Sequence, residues 1–476
     1  MKIKLGVVPT RRNTFSREDA LKYKRLILEK LSTYENVEVY CIDWLNDEGL
    51  LYDSEDDADK VIKYLRDKEV DGVFFPHCNF GTEHTVARVG KEVGKPVLLW
   101  GPRDEDPLED GFRLRDTQCG LFATGKVLRR FKVPFTYVPN SNIGDLVFER
   151  GFQNFFAVAN VVKAFSKLRV LQISTRPADF WTMMYNEGQL LERFGITVAP
   201  ISLVDLEEKI NTIEETETIQ IQETITQIKD IVDCSNIEEV ELSKIAALKI
   251  ALKQFAQETK STSIAIQCWH SLQKSLGIMP CFVNALLTDE MIPVTCETDV
   301  HGAISAILAQ EAAFQTTPTF FADLTVRHTK NDNGELLFHC GNFPVSLAAE
   351  GEKPELRKHF LFDSKCPGTV EHKIKGGDMT IVRFDGDGDD YKLLLGKAKG
   401  IEGPYTRGTY VWIEVENWLK WERKLVEGPY VHHCVGIHAD VIPVLYEATK
   451  YIPGIEVDLL DITEEDIIDW LDGEGN

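Results

Sequence analysis

The sequence predicts an α/β protein: two doubly wound parallel-sheet domains followed by an antiparallel β-rich C-terminal domain. Three observations carry that expectation. In the first third of the chain, short β-rich runs alternate with helical periods, the pattern of a parallel sheet with helices on its faces. The alternation restarts at "KLRVLQISTRP" (167–177). Past about residue 326 it gives way to short alternating strands joined by Gly-rich turns. At 476 residues the chain is too long for one core and divides, at usual domain sizes, into about three units. The expected boundaries are 1–166, 167–325 and 326–476.

In the first domain "IKLGVVP", "VEVYCID", "GVFFP" and "PVLLWG" read as strands, and "SREDALKYKRLILEKL" as a helix whose start is marked by Ser16 and Asp19 at capping-box spacing. Ligands of such sheets meet the loops at the carboxyl ends of strands, here "PTRRNTFS" (9–16), "HCNFGTEH" (77–84) and "GPRDEDP" (101–107). The second domain carries a long acidic segment, 206–250, of helical period, expected to form exposed helices with the charge run as a solvated face. Its sheet is expected to resume with "TSIAIQCW" (262–269), "IPVTCETD" (292–299) and "TFFADLT" (319–325). The third domain is built from "GELLFHCGNFP", the long Gly-punctuated stretch 368–400 and "GTYVWIEVENW", with "TEEDIIDWL" as a closing helix.

Composition narrows the function classes. Hydrophobic residues at 43% and charged residues at 27% are ordinary for a soluble globular protein, and no apolar run is long enough to span a bilayer. A formal net charge of -23 argues against a nucleic-acid-binding surface, which needs clustered Lys and Arg. The ten cysteines form no C-x-x-C pair and read as buried thiols of a reducing compartment, not as a zinc ribbon or a disulfide framework. The amino terminus runs into a strand pattern without a signal-peptide core, so a cytoplasmic location is expected.

Metal-capable side chains recur directly behind strand-like runs: Glu297, Asp323, His339 and the pair His432-His433. Carboxylate oxygens with imidazole nitrogens suit Mn²⁺, Co²⁺ or Fe²⁺. Each position also has an ordinary structural explanation: Asp299 can cap the helix starting near Val300, and His339 can be a hydrogen-bonded core histidine. Of His432 and His433 only one need face a metal, because neighbours on a strand point to opposite sides.

Taken in order, "CETD", "FFADLT", "FHCGNFP" and "HHCVGIHAD" resemble the metal-site order of the L-fucose isomerase and L-arabinose isomerase superfamily, and "GVVPTRRNTFSRED", "HCNFGTEH" and "STRPADFWTMMYNEGQLLERFGI" resemble its fucose isomerase branch. The resemblance implies a metal-dependent aldose–ketose isomerase acting on a monosaccharide through an enediol, with Mn²⁺ the first choice of ion. It implies Glu297 and Asp323 as ligands and acid–base groups, His433 as the late histidine ligand, His339 as a further ligand and His432 as a neighbour contacting the sugar. It also implies a homo-oligomer, commonly a hexamer, with sites near subunit interfaces.

The tryptophan that fucose enzymes carry in the loop matching "HCNFGTEH" is absent, so sugar stacking is assigned to Phe80 or Trp418, with Trp100 and Trp421 as alternatives. Arg11, Arg12 and Arg176 are candidates for gripping an anionic tail, which makes a sulfosugar such as sulfoquinovose a candidate substrate. Two other readings use the same residues: a different metal-dependent sugar enzyme, such as an epimerase or retro-aldol lyase, and a non-catalytic sugar-binding protein.

Overall fold

Strand β1 (Ile3–Val7) sits inside a five-stranded, all-parallel sheet with β2 (Val37–Cys41), β3 (Gly72–Pro76), β4 (Val97–Trp100) and β5 (Thr136–Tyr137), in the order β2-β1-β3-β4-β5. The coordinates are a computed structural model that describes residues 2–361 and 365–474. β3 and β4 are buried along their whole length, which is why "GVFFP" and "VLLW" are continuously apolar rather than alternating. Helix Arg17–Leu31 begins where the sequence predicts: the Ser16 hydroxyl accepts the Asp19 amide at 3.2 Å. Helix Leu146–Phe165 supplies Phe148, Phe152, Phe155 and Phe156, all fully buried. Phe152 packs edge-on to Phe74 and to Trp100, whose indole donates to Ser141 Oγ at 3.0 Å. Trp100 is therefore a core residue with no ring face for a sugar.

One glycine places the loop after β3. A Cβ on Gly120 would stand 1.8 Å from the Phe80 carbonyl oxygen, so only glycine lets helix Thr117–Arg130 approach the 77–84 loop this closely.

A second parallel sheet holds β6 (Arg169–Ile173), β7 (Thr197–Ile201), β8 (Ser263–Ile266) and β9 (Val294–Thr295) in the order β7-β6-β8-β9. The acidic segment forms helices with a solvated charged face, as expected, and adds a buried face. Helices Leu203–Thr216 and Thr218–Ile231 are amphipathic, and their Ile and Leu residues join one apolar cluster with helix Glu239–Thr259, in which Ile245, Ala246, Ala247 and Leu248 are fully buried. Acidic residues set at helical period charge one face only, and the opposite face builds core.

Strands β10 (Phe320–Arg327), β11 (Gly334–His339), β12 (Glu355–Lys358), β13 (Pro367–Lys373), β14 (Gly377–Asp387), β15 (Asp390–Ile401), β16 (Thr409–Glu414), β17 (His433–Ile437) and β18 (Ile455–Leu460) form one large sheet, ordered β12-β13-β16-β11-β10-β17-β14-β15-β18, with β15 also reaching β16. Its pairings are antiparallel except β13–β16 and β15–β18, which are parallel. β10, read from the sequence as the last strand of the second parallel sheet, instead pairs antiparallel with β11 and β17. The chain forms two compact units. The first is the N-terminal region to Lys163 with Pro443–Pro453 and the closing helix Glu464–Leu471; the second is Ala164–Ile442 with Gly454–Thr463, holding both remaining sheets. Trp418, at the start of helix Trp418–Glu427, is 5% exposed and stacks on the fully buried Trp421 within the core of the large sheet, which corrects its assignment as a sugar-stacking residue. No helix among the described residues is long and apolar enough to cross a membrane.

Two stability predictions follow from this packing. Gly120→Val is expected to cost ~3 kcal/mol or more, because the clash is with backbone and cannot be relieved by a rotamer change; a lowered thermal midpoint by circular dichroism checks it. Glu335 on β11 is 2% exposed and its Oε2 has no hydrogen-bond partner. Burial, only partly opposed by Arg327, pushes its carboxyl up to about 7. A raised carboxylate holds its proton better when folded, so its contribution is full below about pH 4.5 and is lost as pH climbs through 7. Glu335→Gln should raise the thermal midpoint at pH 8 and leave it unchanged at pH 4.

Candidate metal centre

The "PVTCETDVHG" turn leaves β9 through two consecutive left-handed residues, Glu297 (φ 60°) and Thr298 (φ 62°). Neither is glycine, so the turn is strained by ~1–3 kcal/mol per residue and needs surrounding structure to hold it. That structure is present: the Thr298 amide donates to Ile266 O at 3.1 Å, and the Thr295 hydroxyl to Asp299 O at 2.8 Å. Cys296 and Val294 point into the core, as their alternation with Glu297 requires.

The other members come from the large sheet. Asp323 on β10 lies directly opposite His433 on β17 in antiparallel register, and opposite Phe338, the neighbour of His339, on β11. Cross-strand partners share a face, which brings Asp323 and His433 together, while His339 reaches Asp323 from the last position of β11. His433 is fully buried, with Nε2 3.2 Å from Glu297 Oε2 and 3.3 Å from Asp323 Oδ1. His339, 1% exposed, accepts the Cys340 amide on Nδ1 at 2.9 Å and turns Nε2 toward Asp323 Oδ1, 4.0 Å away.

His433 Nδ1 faces Asp299 Oδ2 at 2.9 Å. Asp299 does cap helix Val300–Ala312, accepting the Gly302 amide at 2.8 Å, but its other duty was missed from the sequence. Arg383, also missed, grips the same carboxylate: Nη1 pairs with Oδ2 and Nη2 with Oδ1, the latter at 3.3 Å. Burial works against charge on Asp299, and Arg383 with His433 outweighs it, holding the carboxyl well below the usual range. Burial likewise opposes charge on His433, but the carboxylates of Asp299, Glu297 and Asp323 push the imidazole up to about 9.

Four atoms aimed into this centre, Glu297 Oε2, Asp323 Oδ1, His433 Nε2 and His339 Nε2, are buried without a hydrogen-bond partner. Buried polar atoms are rarely left so. Two carboxylate oxygens and two imidazole nitrogens fit a divalent transition ion, and the donor set suits Mn²⁺, Co²⁺ or Fe²⁺. His432 joins by a different route from the one expected. It lies in a bend just before β17, where strand alternation does not apply, and one atom each from Glu297, His432 and His433 lie within 4.8 Å of one another. Glu297 and His433 are common to both sets of close contacts, and Asp323 joins them through His433 Nε2.

Comparison with known proteins bears on this geometry. Residues 6–166 match the family model for the fucose/sulfoquinovose isomerase N-terminal domain. A sulfoquinovose isomerase from Priestia aryabhattai is 25% identical over 449 residues, covering 94% of this chain and 96% of that one. The chain is similar to the fucose/sulfoquinovose isomerases over nearly its whole length. A second sulfoquinovose isomerase, from Alkalicoccus urumqiensis, is 25% identical over 86% of this chain and 90% of its own, and a third, from Clostridium sp. (strain MSTE9), 24% identical over 69% and 72%. A solved periplasmic solute binding protein from Actinobacillus succinogenes 130z with bound D-allose aligns at 12% identity over 66% of this chain and 92% of its own with a TM-score of 0.18, too loosely to carry an argument.

The remaining sequence candidates separate into two groups. Arg12 lies 4.0 Å over the Phe80 ring and pairs with Glu83 at 2.7 Å, while Phe80 stacks on Phe15. Arg11 is 6% exposed, hydrogen-bonded to Asn13 and 3.5 Å from Glu48. Both belong to the first unit. Arg176 lies in the second, in the loop after β6, where it donates to the carbonyls of Pro177 and Ala178 at 3.2 Å and approaches the exposed Trp181 ring. At the same end of that sheet Ser174 donates to Gln267 and Phe180 packs on Trp269. These aromatics were not singled out in the sequence, although their place behind β6 and β8 was readable.

The ligand assignment is checked by metal content. His433→Ala should lose bound Mn²⁺ on dialysis, whereas His438→Ala should keep it, since His438 Nε2 is occupied by the Lys375 carbonyl at 2.9 Å.

Proposed function

We propose that the chain is a metal-dependent aldose–ketose isomerase, with sulfoquinovose or a closely related sugar as its substrate. The observation that carries the reading is the pair of carboxylates, Glu297 and Asp323, on either side of one buried imidazole nitrogen, at 3.2 and 3.3 Å from His433 Nε2. The relatives that cover nearly the whole chain are named sulfoquinovose isomerases, which supports both the reaction and the substrate.

Aldose–ketose interconversion moves one proton between adjacent carbons and one between their oxygens, by way of an enediol. A divalent ion held by Glu297, Asp323, His433 and His339 would supply charge stabilisation for the two oxygens. The protein supplies the rest. Glu297, fixed by its strained turn, takes the proton from one carbon and returns it to the next. Asp323, 19% exposed at the side-chain level, shuttles the hydroxyl proton from oxygen to oxygen. His432, exposed beside the centre, donates to a sugar hydroxyl.

A sulfonate offers three acceptor oxygens on a tetrahedral sulfur, two of which an arginine fork can hold. In this reading Arg176 meets it from the second unit, while Arg11 and Arg12, backed by Phe80, serve the site of a neighbouring subunit in a homo-oligomer, a hexamer by family resemblance. The ten cysteines form no disulfide with one another, which supports a cytoplasmic location.

The test is a screen of Mn²⁺-loaded protein against sulfoquinovose, L-fucose, L-arabinose and other aldoses, with carbon-1 to carbon-2 conversion followed by NMR in D₂O. The expected result is ketose formation with deuterium incorporation, fastest for sulfoquinovose. An epimer or cleaved fragments would replace this reading with another metal-dependent sugar reaction, and affinity without turnover with a binding protein. Glu297→Gln should lower kcat on the order of 10²–10⁴-fold with the fold intact.

A further inference from the structure

Behind the metal centre lies a continuous chain of buried ionic contacts that ends on a second histidine. It runs from His433 Nδ1 to Asp299, from Asp299 to Arg383, from Arg383 to Asp385 and from Asp385 Oδ1 to His301 Nδ1 at 2.9 Å. Asp299, Arg383 and His301 are 3%, 1% and 4% exposed. A single arginine thus sits between two Asp–His pairs, one fork on each carboxylate: Nη1 and Nη2 on Asp299, Nε and Nη2 on Asp385 at 2.8 and 2.6 Å.

We propose that Arg383 is a positioning residue of the metal centre: by clamping Asp299 against His433 Nδ1, it leaves Nε2 as the one ring nitrogen that can join Glu297 and Asp323 as a ligand. This rests on the reading of His433 as a ligand.

The geometry requires the clamp. Apart from His433 itself, Asp299 is held at Oδ1 by the Gly302 amide, one hydrogen bond about which the carboxylate could still swing. The second fork contact removes that freedom, because a planar guanidinium binding both oxygens fixes the carboxylate plane. Gly302 completes the fit: a Cβ there would lie 2.8 Å from Asp299 Oδ2 and 2.7 Å from the Phe321 ring, and Phe321 packs on His433 with ring centroids 4.8 Å apart. Arg383 is held from behind. Asp385 accepts the Gly386 amide at 2.9 Å, and the neighbouring Phe384 amide donates to Ser305 Oγ at 2.8 Å, tying β14 to helix Val300–Ala312. A lysine could supply charge to Asp299 but could not hold both oxygens and Asp385 together.

The experiment is Co²⁺ titration of metal-free full-length protein, followed by visible absorption, for wild type, Arg383→Gln, Arg383→Lys and Asp299→Asn, with folding checked by circular dichroism. Loss of a group that orients a ligating histidine lowers metal affinity by roughly 10–100-fold. That loss is expected for Arg383→Gln and Asp299→Asn, with Arg383→Lys recovering part of it. If Arg383→Gln does not fold, Asp299→Asn decides, since its amide oxygen can still cap the helix. Wild-type affinity in folded Arg383→Gln or Asp299→Asn would overturn the inference and leave the metal reading standing. Failure of wild type itself to bind Co²⁺ would overturn both.

Discussion

A fully buried imidazole with a carboxylate at each nitrogen is the constraint around which this protein's site is organised. His433 cannot be satisfied by water, so each ring nitrogen must find a partner from the fold. Asp299 takes one nitrogen; Glu297 and Asp323 crowd the other. Three acids around one base would repel each other in a low-dielectric interior. Arg383 offsets one of them, and the remaining pair retains the negative potential that attracts a divalent cation.

Each flanking feature serves that arrangement. The register of β10 against β17 sets Asp323 opposite His433, and a slip by one residue would turn Asp323 to the other face of the sheet. The left-handed pair Glu297-Thr298 aims a carboxylate back across the end of β9 instead of letting the chain run directly into the next helix. Gly302 provides room for the Asp299 carboxylate and the Phe321 ring. Strain, a glycine and a salt-bridged arginine thus meet within a few residues of the metal-capable side chains, where local stability is traded for geometry. The arrangement also explains why two sheets are needed: the parallel sheet delivers Glu297 and Asp299 at its carboxyl end, and the mixed sheet delivers Asp323, His339 and His433.

Family resemblance and geometry meet in different places. The matching family model covers 6–166, the first unit, whereas the metal-capable residues all lie in the second. What links them is the long alignment with sulfoquinovose isomerases, which spans both. Ordinary packing removed some candidates: Trp100 and Trp418 are sealed in separate cores, while Trp181, on the loop after β6, is exposed. Aromatic residues of the same type cannot be told apart by sequence, because burial depends on which helix covers them.

Strand periodicity, the Ser16 cap and the change from parallel to largely antiparallel strands were determined by the sequence alone, since they rest on local pattern; Glu297, Asp323, His339 and His433 could be named as candidates from residue types in order. The tertiary structure decided where β10 pairs, that the acidic helices build core, and that His432 sits in a bend and so escapes strand alternation. It also decided that Asp299 is more than a cap and that Arg383 belongs to the centre. The physical reason is common to these cases. Cross-strand register and buried ion pairing join residues separated by about a hundred positions, and only a folded backbone sets the distances at which those charges act.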